Sequence, residues 1–192
     1  MRLNLLFLIV VSFVILGLTW FLNQPQRPDS QKTPTKAVTQ TDAFPPIPYF
    51  TFTTIRNMEH KITEYEGKTV LLNFWASWCA PCLVEFPKLL DLAKQNPEDI
   101  VIIALSVDKT KSNINRFLEK LDEAPSLDNV IIGWDPRQEI AYDLFQTIRY
   151  PETYVIGPDQ TLRLKVVGAD VDFSSEEFLE KLPISETFKK PR

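Results

Sequence analysis

Short apolar segments of strand length alternate along residues 47–182 with amphipathic segments of helical period. Residues 70–75 and 100–107 are apolar almost throughout, which is typical of strands covered on both faces. In chain order, the pattern predicts a hairpin within 47–66, a strand at 70–75, a helix at 83–94, a strand at 100–107, a helix at 113–121, a strand at 130–132, a helix at 137–145, strands at 153–156 and 161–167, and a helix that ends at 182. This order predicts an α/β fold in which helices flank a central mixed β-sheet.

Two of the predicted helices carry local expectations. Pro87 lies inside the helix at 83–94, where its missing N–H should kink the helix. In the helix at 137–145, Ile140 and Leu144, with Phe145 beside them, should pack inward against the sheet.

The first 46 residues differ in composition from the rest of the chain. Residues 3–22 form a run of 20 residues without charge, long enough to cross a bilayer as a helix. Bulky residues at the end of this run disfavour signal-peptidase cleavage, so we expect 1–22 to be an uncleaved transmembrane anchor. Residues 23–46, rich in Pro, Gln and Thr, should form a flexible linker. We expect a folded domain at 47–185 and a short tail at 186–192.

The charge of the domain restricts its partners. Without residues 1–46, the chain has 17 Lys and Arg against 23 Asp and Glu, a net charge of −6. An acidic domain is a poor candidate for binding nucleic acid or anionic lipid head groups. A zinc site is disfavoured as well, because the chain has two cysteines and a single histidine, His60, in a polar stretch. We therefore predict neither a nucleic-acid partner nor a set of metal ligands.

The two cysteines, Cys79 and Cys82, lie where the predicted strand at 70–75 gives way to the helix at 83–94. Unpaired N–H groups and the helix dipole stabilise a thiolate at a helix start, so Cys79 is the predicted nucleophile and should be solvent-accessible. Cys82, one turn further on and beneath it, could attack a mixed disulfide on Cys79 and release the partner. A static disulfide or an inert thiol pair remains the alternative.

Two motifs extend this pattern. The first is N-F-W-A-S-W-C-A-P-C at 73–82, followed by Glu85 and Pro87, and the second is Y-P-E-T-Y-V-I at 150–156. With these motifs the chain resembles the thioredoxin family, in particular its membrane-anchored extracytoplasmic branch of the TlpA, ResA and CcmG (DsbE) type. The resemblance implies a thioredoxin fold with an N-terminal β-hairpin extension. It also implies a single-pass protein of the bacterial cytoplasmic membrane whose domain lies on the periplasmic side.

The resemblance implies a client-binding surface beside the cysteines. Pro151 should follow a cis peptide bond and face the disulfide, which leaves the backbone of Tyr150 free to pair with an incoming peptide. Tyr150 is therefore a predicted client contact, although it is bulkier than the residue usual at this position. Trp78, next to Cys79, should form part of the same surface, whereas Trp75 should pack beneath it.

Three polar residues near the motifs are candidates for handling protons or screening partners. Asn73 occupies the position of a buried aspartate in cytosolic thioredoxins, and an amide cannot exchange protons as that aspartate does. Glu85 lies on the same helical face as Cys82 and could modulate thiol pKa values and handle protons instead, with a plain surface glutamate as the alternative. Glu152, beside Pro151, could screen partners by its charge, with a solvated residue at the rim as the equal alternative.

The resemblance implies a thiol-disulfide oxidoreductase that reduces client proteins, with apocytochrome c or a copper-site assembly protein as the client. Electrons would come from a membrane thiol donor, and no cofactor is needed beyond the redox-active pair Cys79 and Cys82. One alternative is a disulfide donor working in the opposite direction. Another is a tethered binding module or copper chaperone, although no histidine follows the cysteines. A peroxidase is disfavoured, because Ala76 stands where a peroxidatic Thr is expected.

Overall fold

Two strands buried along their whole length form the centre of the molecule. Strand β3 (Thr69–Trp75) and strand β4 (Ile100–Ser106) pair in parallel, with Thr69 opposite Ile100 and Trp75 opposite Ser106. Their continuous apolar sequences fit this position, because helices and loops cover both faces of the strands. The computed structural model describes residue 19 and residues 45–121 and 127–184.

Within these described residues, seven strands form one mixed sheet in the order β2-β1-β5-β4-β3-β6-β7. The remaining strands are β1 (Thr51–Thr54), β2 (Glu59–Lys61), β5 (Val130–Trp134), β6 (Glu152–Ile156) and β7 (Leu162–Val167). Strands β3, β4 and β5 are parallel to each other, whereas β6 runs antiparallel to β3 and β7 antiparallel to β6. The predicted mixed sheet and N-terminal hairpin are both confirmed, and β1 of the hairpin extends the sheet by pairing with β5.

Within residues 45–121 and 127–184, three α-helices pack around the sheet: α1 (Ala80–Gln95), α2 (Lys111–Leu118) and α3 (Glu176–Lys181). Helix α1 continues through Pro87, and it buries an apolar stripe that includes Phe86 and Leu89. Helix α3 begins after Ser175, because the Ser175 side chain accepts a hydrogen bond from the N–H of Phe178.

The predicted helix at 137–145 is instead a π-helix, Glu139–Leu144, and begins after Gln138 in a left-handed conformation. The carboxylate of Asp135 accepts hydrogen bonds from the N–H groups of Glu139, Ile140 and Ala141, which fixes this start. A π-helix closes bonds five residues apart, so it turns its residues to other faces than an α-helix does.

The prediction that Leu144 packs inward against the sheet is therefore wrong. Ile140 is buried, but Leu144 is exposed at 41%. Phe145 packs inward as expected, against the rings of Phe74 and Tyr154.

In the described part of the chain, no helix combines the length and the apolar character needed to cross a membrane. The predicted anchor at 1–22 lies outside the described residues, except for residue 19, and so do most of the predicted linker and the tail at 186–192. The described chain resumes at Pro45. Pro46 there forms an isolated bridge with Thr161, at the start of β7.

Candidate active site

Cys79 lies at the junction between β3 and α1, as the sequence predicts. It is the N-cap residue of α1, and its sulfur accepts a hydrogen bond from the N–H of Cys82 at 3.3 Å. Pro81 occupies the first turn, where a missing N–H leaves no helical bond unmade. The Cys79 sulfur therefore lies at the N-terminus of α1 with the N–H of Cys82 directed at it, which is an arrangement that stabilises a thiolate.

Cys79 and Cys82 are joined by a disulfide, with their Cα atoms 5.3 Å apart. Cys79 is 6% exposed and Cys82 is 1% exposed. Cys79 is the more exposed of the two, as predicted, but it is still buried. The prediction of a solvent-accessible Cys79 sulfur is therefore wrong for this disulfide form, in which the sulfur is bonded to Cys82. Among the described residues, no group of three His, Cys, Asp or Glu side chains could hold a metal ion.

A loop that is distant in the sequence contacts the residue before Cys79. The peptide bond between Tyr150 and Pro151 is cis, as the resemblance implies. The rings of Trp78 and Tyr150 contact each other edge to face, with centroids 6.1 Å apart. This contact joins the residue before Cys79 to the residue before Pro151, so the structure brings the predicted client-binding residues together.

Trp78 and Tyr150 are held differently. Trp78 is 67% exposed, whereas Tyr150 is half-buried and its hydroxyl donates a hydrogen bond to the side-chain oxygen of Gln138 at 3.0 Å. Burial, and then the nearby carboxyls of Asp135 and Glu152, raise the pKa of Tyr150. The bulky Tyr150 is thus fixed against the π-helix, while Trp78 projects into solvent.

Trp75 packs beneath the site, as predicted. It is fully buried, and its ring contacts Phe86 of α1 at 4.8 Å and Phe117 of α2 at 4.9 Å between centroids. This aromatic cluster fixes the end of β3 from which the cysteine turn departs.

Glu85 is buried at 1% exposure, so the alternative of a plain surface glutamate is wrong. Its Oε1 atom accepts hydrogen bonds from Asn73 Nδ2 at 3.0 Å and from Thr153 Oγ1 at 2.9 Å, while Oε2 has no hydrogen-bond partner among the described residues. Burial raises the pKa of Glu85 to about 7, and the Thr153 hydrogen bond and the charge of Lys88 oppose this rise. Glu85 therefore changes its protonation state near neutral pH.

Asn73 and Thr153 hold Glu85 from two neighbouring strands. They are paired residues of β3 and β6, and Asn73 Nδ2 also donates to Thr153 Oγ1 at 2.9 Å. Asn73 is a candidate from the sequence, whereas Thr153 is predicted only as a strand residue. The pairing of β3 with β6 would have revealed Thr153, because the two side chains then lie on the same face.

Glu152 is buried at 3% exposure, so its prediction as a solvated rim residue is wrong. Its Oε2 atom lies 3.0 Å from Lys165 Nζ and accepts a hydrogen bond from the Tyr154 hydroxyl at 3.2 Å. Successive residues of a strand point to opposite faces, so Glu152 lies on the other side of β6 from Thr153 and Glu85. The ion pair with Lys165 explains how a carboxylate can be buried there.

The chain matches a model of the AhpC/TSA family over residues 45–165. It is 34% identical to the thiol-disulfide oxidoreductase ResA of Oceanobacillus iheyensis, in a match that covers 57% of this chain and 54% of that protein. It is 27% identical to the ResA protein of Geobacillus thermodenitrificans, over 70% of this chain and 75% of that protein. The first match thus spans about half the length of the relative.

The fold is also that of a solved structure, the exposed lipoprotein thioredoxin of Streptococcus pneumoniae. The two structures superpose with a TM-score of 0.58 at 22% identity, over 70% of this chain and the whole of the other. At this identity the likeness shows a shared thioredoxin-like fold.

Proposed function

The chain belongs to the AhpC/TSA family, and we propose that it is a thiol-disulfide oxidoreductase that reduces disulfides of client proteins with the dithiol form of Cys79 and Cys82. The observation that carries this proposal is the Cys79–Cys82 disulfide at the start of α1, beside the loop that contains Tyr150 and Pro151. Helix N–H groups on one side and an apolar surface on the other suit a thiolate that attacks a bound protein.

In the proposed reaction, the Cys79 thiolate attacks one sulfur of the client disulfide. A Cys79–client bond forms, the client S–S bond breaks, and the second client sulfur leaves as a thiolate that takes a proton from water. Cys82 then loses its proton and attacks Cys79. The Cys79–Cys82 disulfide forms, and the first client sulfur leaves as a thiolate that is also protonated by water. Two electrons have passed to the client, which is released as a dithiol.

We propose that Glu85 accepts the proton that Cys82 loses. It lies three residues after Cys82 on α1, a spacing that places two side chains on the same helical face. A base works best when its pKa is near the working pH, and burial brings the pKa of Glu85 to about 7. Asn73 and Thr153 act as positioning residues, since they donate to one carboxylate oxygen and leave the other for the proton.

Trp78, Tyr150 and Pro151 are the proposed contacts for the client. The exposed ring of Trp78 and the half-buried ring of Tyr150 form an apolar surface that flanks Cys79. Apolar aromatic surface supplies contact area at low conformational cost, and such surface left exposed marks a binding site.

We further propose that the domain works outside the cytoplasm, tethered to the membrane by residues 1–22. The support is the run of 20 uncharged residues at 3–22, together with the linker-like composition of 23–46. A membrane thiol donor would then restore the dithiol after each cycle, and apocytochrome c is the proposed client.

A trapping experiment tests this function. The Cys82→Ser variant of the full chain can form the mixed disulfide on Cys79 but cannot resolve it, so clients should accumulate as covalent adducts that dithiothreitol releases. The matched control is Cys79→Ser, which should trap none. The adducts would be identified by mass spectrometry, and no adducts beyond the level of this control would contradict the proposal.

The direction of exchange has its own measurement. Equilibration of the wild-type chain with glutathione gives the reduction potential of the Cys79–Cys82 pair. A reductant should have a potential well below about −180 mV, whereas a value above this would indicate a disulfide donor.

A further inference from the structure

Asp108 lies where three neighbouring parallel strands end. Trp75 of β3 pairs with Ser106 of β4, and Ser106 pairs with Trp134 of β5. Asp108 follows β4 at this edge, and its side chain is fully buried. The carboxyl ends of parallel strands are where α/β proteins assemble their sites, and here this edge lies beside the turn between β3 and α1 that carries Cys79.

Both carboxylate oxygens of Asp108 bind this turn. Oδ2 accepts a hydrogen bond from the backbone N–H of Ser77 at 2.8 Å, and Oδ1 accepts one from the Ser77 hydroxyl at 2.8 Å. The turn is also closed by a backbone hydrogen bond from Cys79 N to Ala76 O at 3.1 Å. Ser77 is therefore held through its backbone and its side chain, two residues before the reactive sulfur.

Asp108 is itself fixed to the sheet. The Ser106 hydroxyl donates to Oδ2 at 2.8 Å, and the N–H of Asp108 donates to the Ser106 hydroxyl at 3.1 Å. The indole N–H of Trp134 donates to the Asp108 carbonyl oxygen at 2.8 Å. The hydrogen bonds thus connect β4 and β5 through Asp108 to the cysteine turn, and none of them involves the proton-handling group Glu85.

The residue type matters at this position. The carboxylate of Asp108 receives three donors: one backbone N–H and two hydroxyls. A carboxylate can accept all three, whereas the NH₂ group of an asparagine would face the Ser77 hydroxyl, which would have to turn and accept instead of donate. The turn would then lose a hydrogen bond to a charged acceptor, and such bonds are stronger than those between neutral groups, so Asp108 holds the turn more firmly than its isostere would.

We propose that Asp108 is a positioning residue for thiol-disulfide exchange, which fixes the Cys79 sulfur through Ser77. The inference rests on the proposed function, because it concerns the same cysteine. Its physical basis is the N-cap contact: the Cys79 sulfur accepts the N–H of Cys82 at 3.3 Å, and a small shift of the turn would break this hydrogen bond. The thiolate of the reduced enzyme would then lose a donor that stabilises it.

The test is the pH profile of Cys79 alkylation by iodoacetamide in the reduced full chain, with the modified peptide identified by mass spectrometry. Ser77→Ala should lower the alkylation rate at pH 7 about three- to tenfold, the size expected for the loss of one buried hydrogen bond, and should move the profile to higher pH. Ser77→Thr, which keeps the hydroxyl, should restore the wild-type profile.

A double-mutant cycle shows whether the effect passes through Asp108. In the Asp108→Asn background, Ser77→Ala should change the alkylation rate less than about twofold, because the carboxylate that accepts the Ser77 hydroxyl is already missing. A loss equal to that seen in the wild-type background would overturn the proposal, and so would an unchanged rate in Ser77→Ala itself.

Thr69→Val is the control for general destabilisation. The buried Thr69 hydroxyl donates to the Pro183 carbonyl oxygen at 2.8 Å, at the other end of β3 from the cysteines. This variant should lose stability but keep the wild-type alkylation profile, and an equal loss of alkylation rate would overturn the proposal. Exchange of the wild-type chain with glutathione is measured in parallel. Its absence would contradict the proposed function, whereas normal exchange with an unaffected Ser77→Ala contradicts only the role of Asp108.

Discussion

Glu85 and Glu152 are carboxyl groups buried to almost the same degree, at 1% and 3% exposure, on opposite faces of the sheet near β6. Glu152 forms an ion pair with Lys165 and accepts a hydrogen bond from Tyr154. Glu85 receives two uncharged donors and, within the described residues, forms no ion pair. Burial of a charge requires a compensating partner, and the Glu152 site supplies a cation in contact whereas the Glu85 site does not.

Glu152 therefore has a structural role, whereas Glu85 is suited to proton transfer. Glu152 joins β6 to β7, since Lys165 belongs to β7 and also lies over the ring of Tyr154 at 4.9 Å. Glu85 instead lies on the helix that carries Cys82, and burial raises its pKa to about 7. A carboxyl without a cation partner can take up and release a proton at neutral pH, which is what the resolving cysteine requires.

The largest effect is expected on the pH dependence of stability. The pKa of Glu85 is about 7 in the folded chain, against 4.5 for a glutamate without the fold around it. Between these two pH values the folded chain therefore binds more protons than the unfolded chain. Stability should therefore fall as pH rises through this window, by about 3 kcal/mol in total. Glu85→Gln should remove this loss and be more stable than wild type at pH 8, but similar to it at pH 4.5, in urea unfolding.

Glu152→Gln is the matched control for that measurement, since it changes a carboxyl of equal burial that has a cation partner. It should gain no stability at pH 8. Equal gains in the two variants would remove the distinction between the two carboxyls.

A second effect is expected on catalysis. Glu85→Gln should slow the attack of Cys82 on the mixed disulfide about a hundredfold, because general acid–base assistance is worth at least this much. Stopped-flow release of a fluorescent peptide from the Cys79 adduct measures this step. Glu152→Gln should release the peptide at the wild-type rate, and an equally slow release would show that the defect is not specific to Glu85.

A third effect is expected on stability when the ion pair between Glu152 and Lys165 is broken. Lys165→Met leaves the Glu152 carboxylate buried without its cation, and should cost about 2 kcal/mol of unfolding free energy, less than for a fully buried pair because Lys165 is partly exposed. Lys181→Met, which breaks the exposed pair with Glu177, should cost less than about 0.5 kcal/mol. Similar costs in the two variants would mean that Glu152 does not depend on Lys165.

The smallest effect is expected for Tyr150→Phe. It removes the hydroxyl that donates to Gln138 but keeps the ring against Trp78, so it should cost about 1 kcal/mol and raise KM for a peptide disulfide with little change in kcat. Tyr142→Phe on the exposed face of the π-helix is the control and should change neither value. A large fall in kcat for Tyr150→Phe would place the hydroxyl in the chemistry instead.

The sequence predicted those parts of the site that depend on local order. Cys79 at a helix start, with Cys82 one turn on, follows from spacing at a boundary between two hydrophobic patterns. The cis bond at Pro151 and the proximity of Tyr150 to Trp78 came from the resemblance, because no local pattern connects residues so distant in the chain.

The features that sequence analysis missed depend on how elements pack. The partnership of Asn73 with Thr153 requires the pairing of β3 with β6, and the burial of Glu85 requires α1 to lie on that face of the sheet. Glu152 was expected at the rim because its partner Lys165 is 13 residues away on another strand. The π-helix at 139–144 depends on the Asp135 carboxylate, which accepts three consecutive N–H groups.

The most direct test of the contrast between the two carboxyls is a carbon NMR titration of the full, oxidised chain with labelled glutamate side chains. The Glu85 carboxyl resonance is identified by its loss in Glu85→Gln. We expect this resonance to titrate with a midpoint near pH 7. A midpoint near 4.5, the value of an unperturbed glutamate, would contradict the assignment of Glu85 as the base for Cys82.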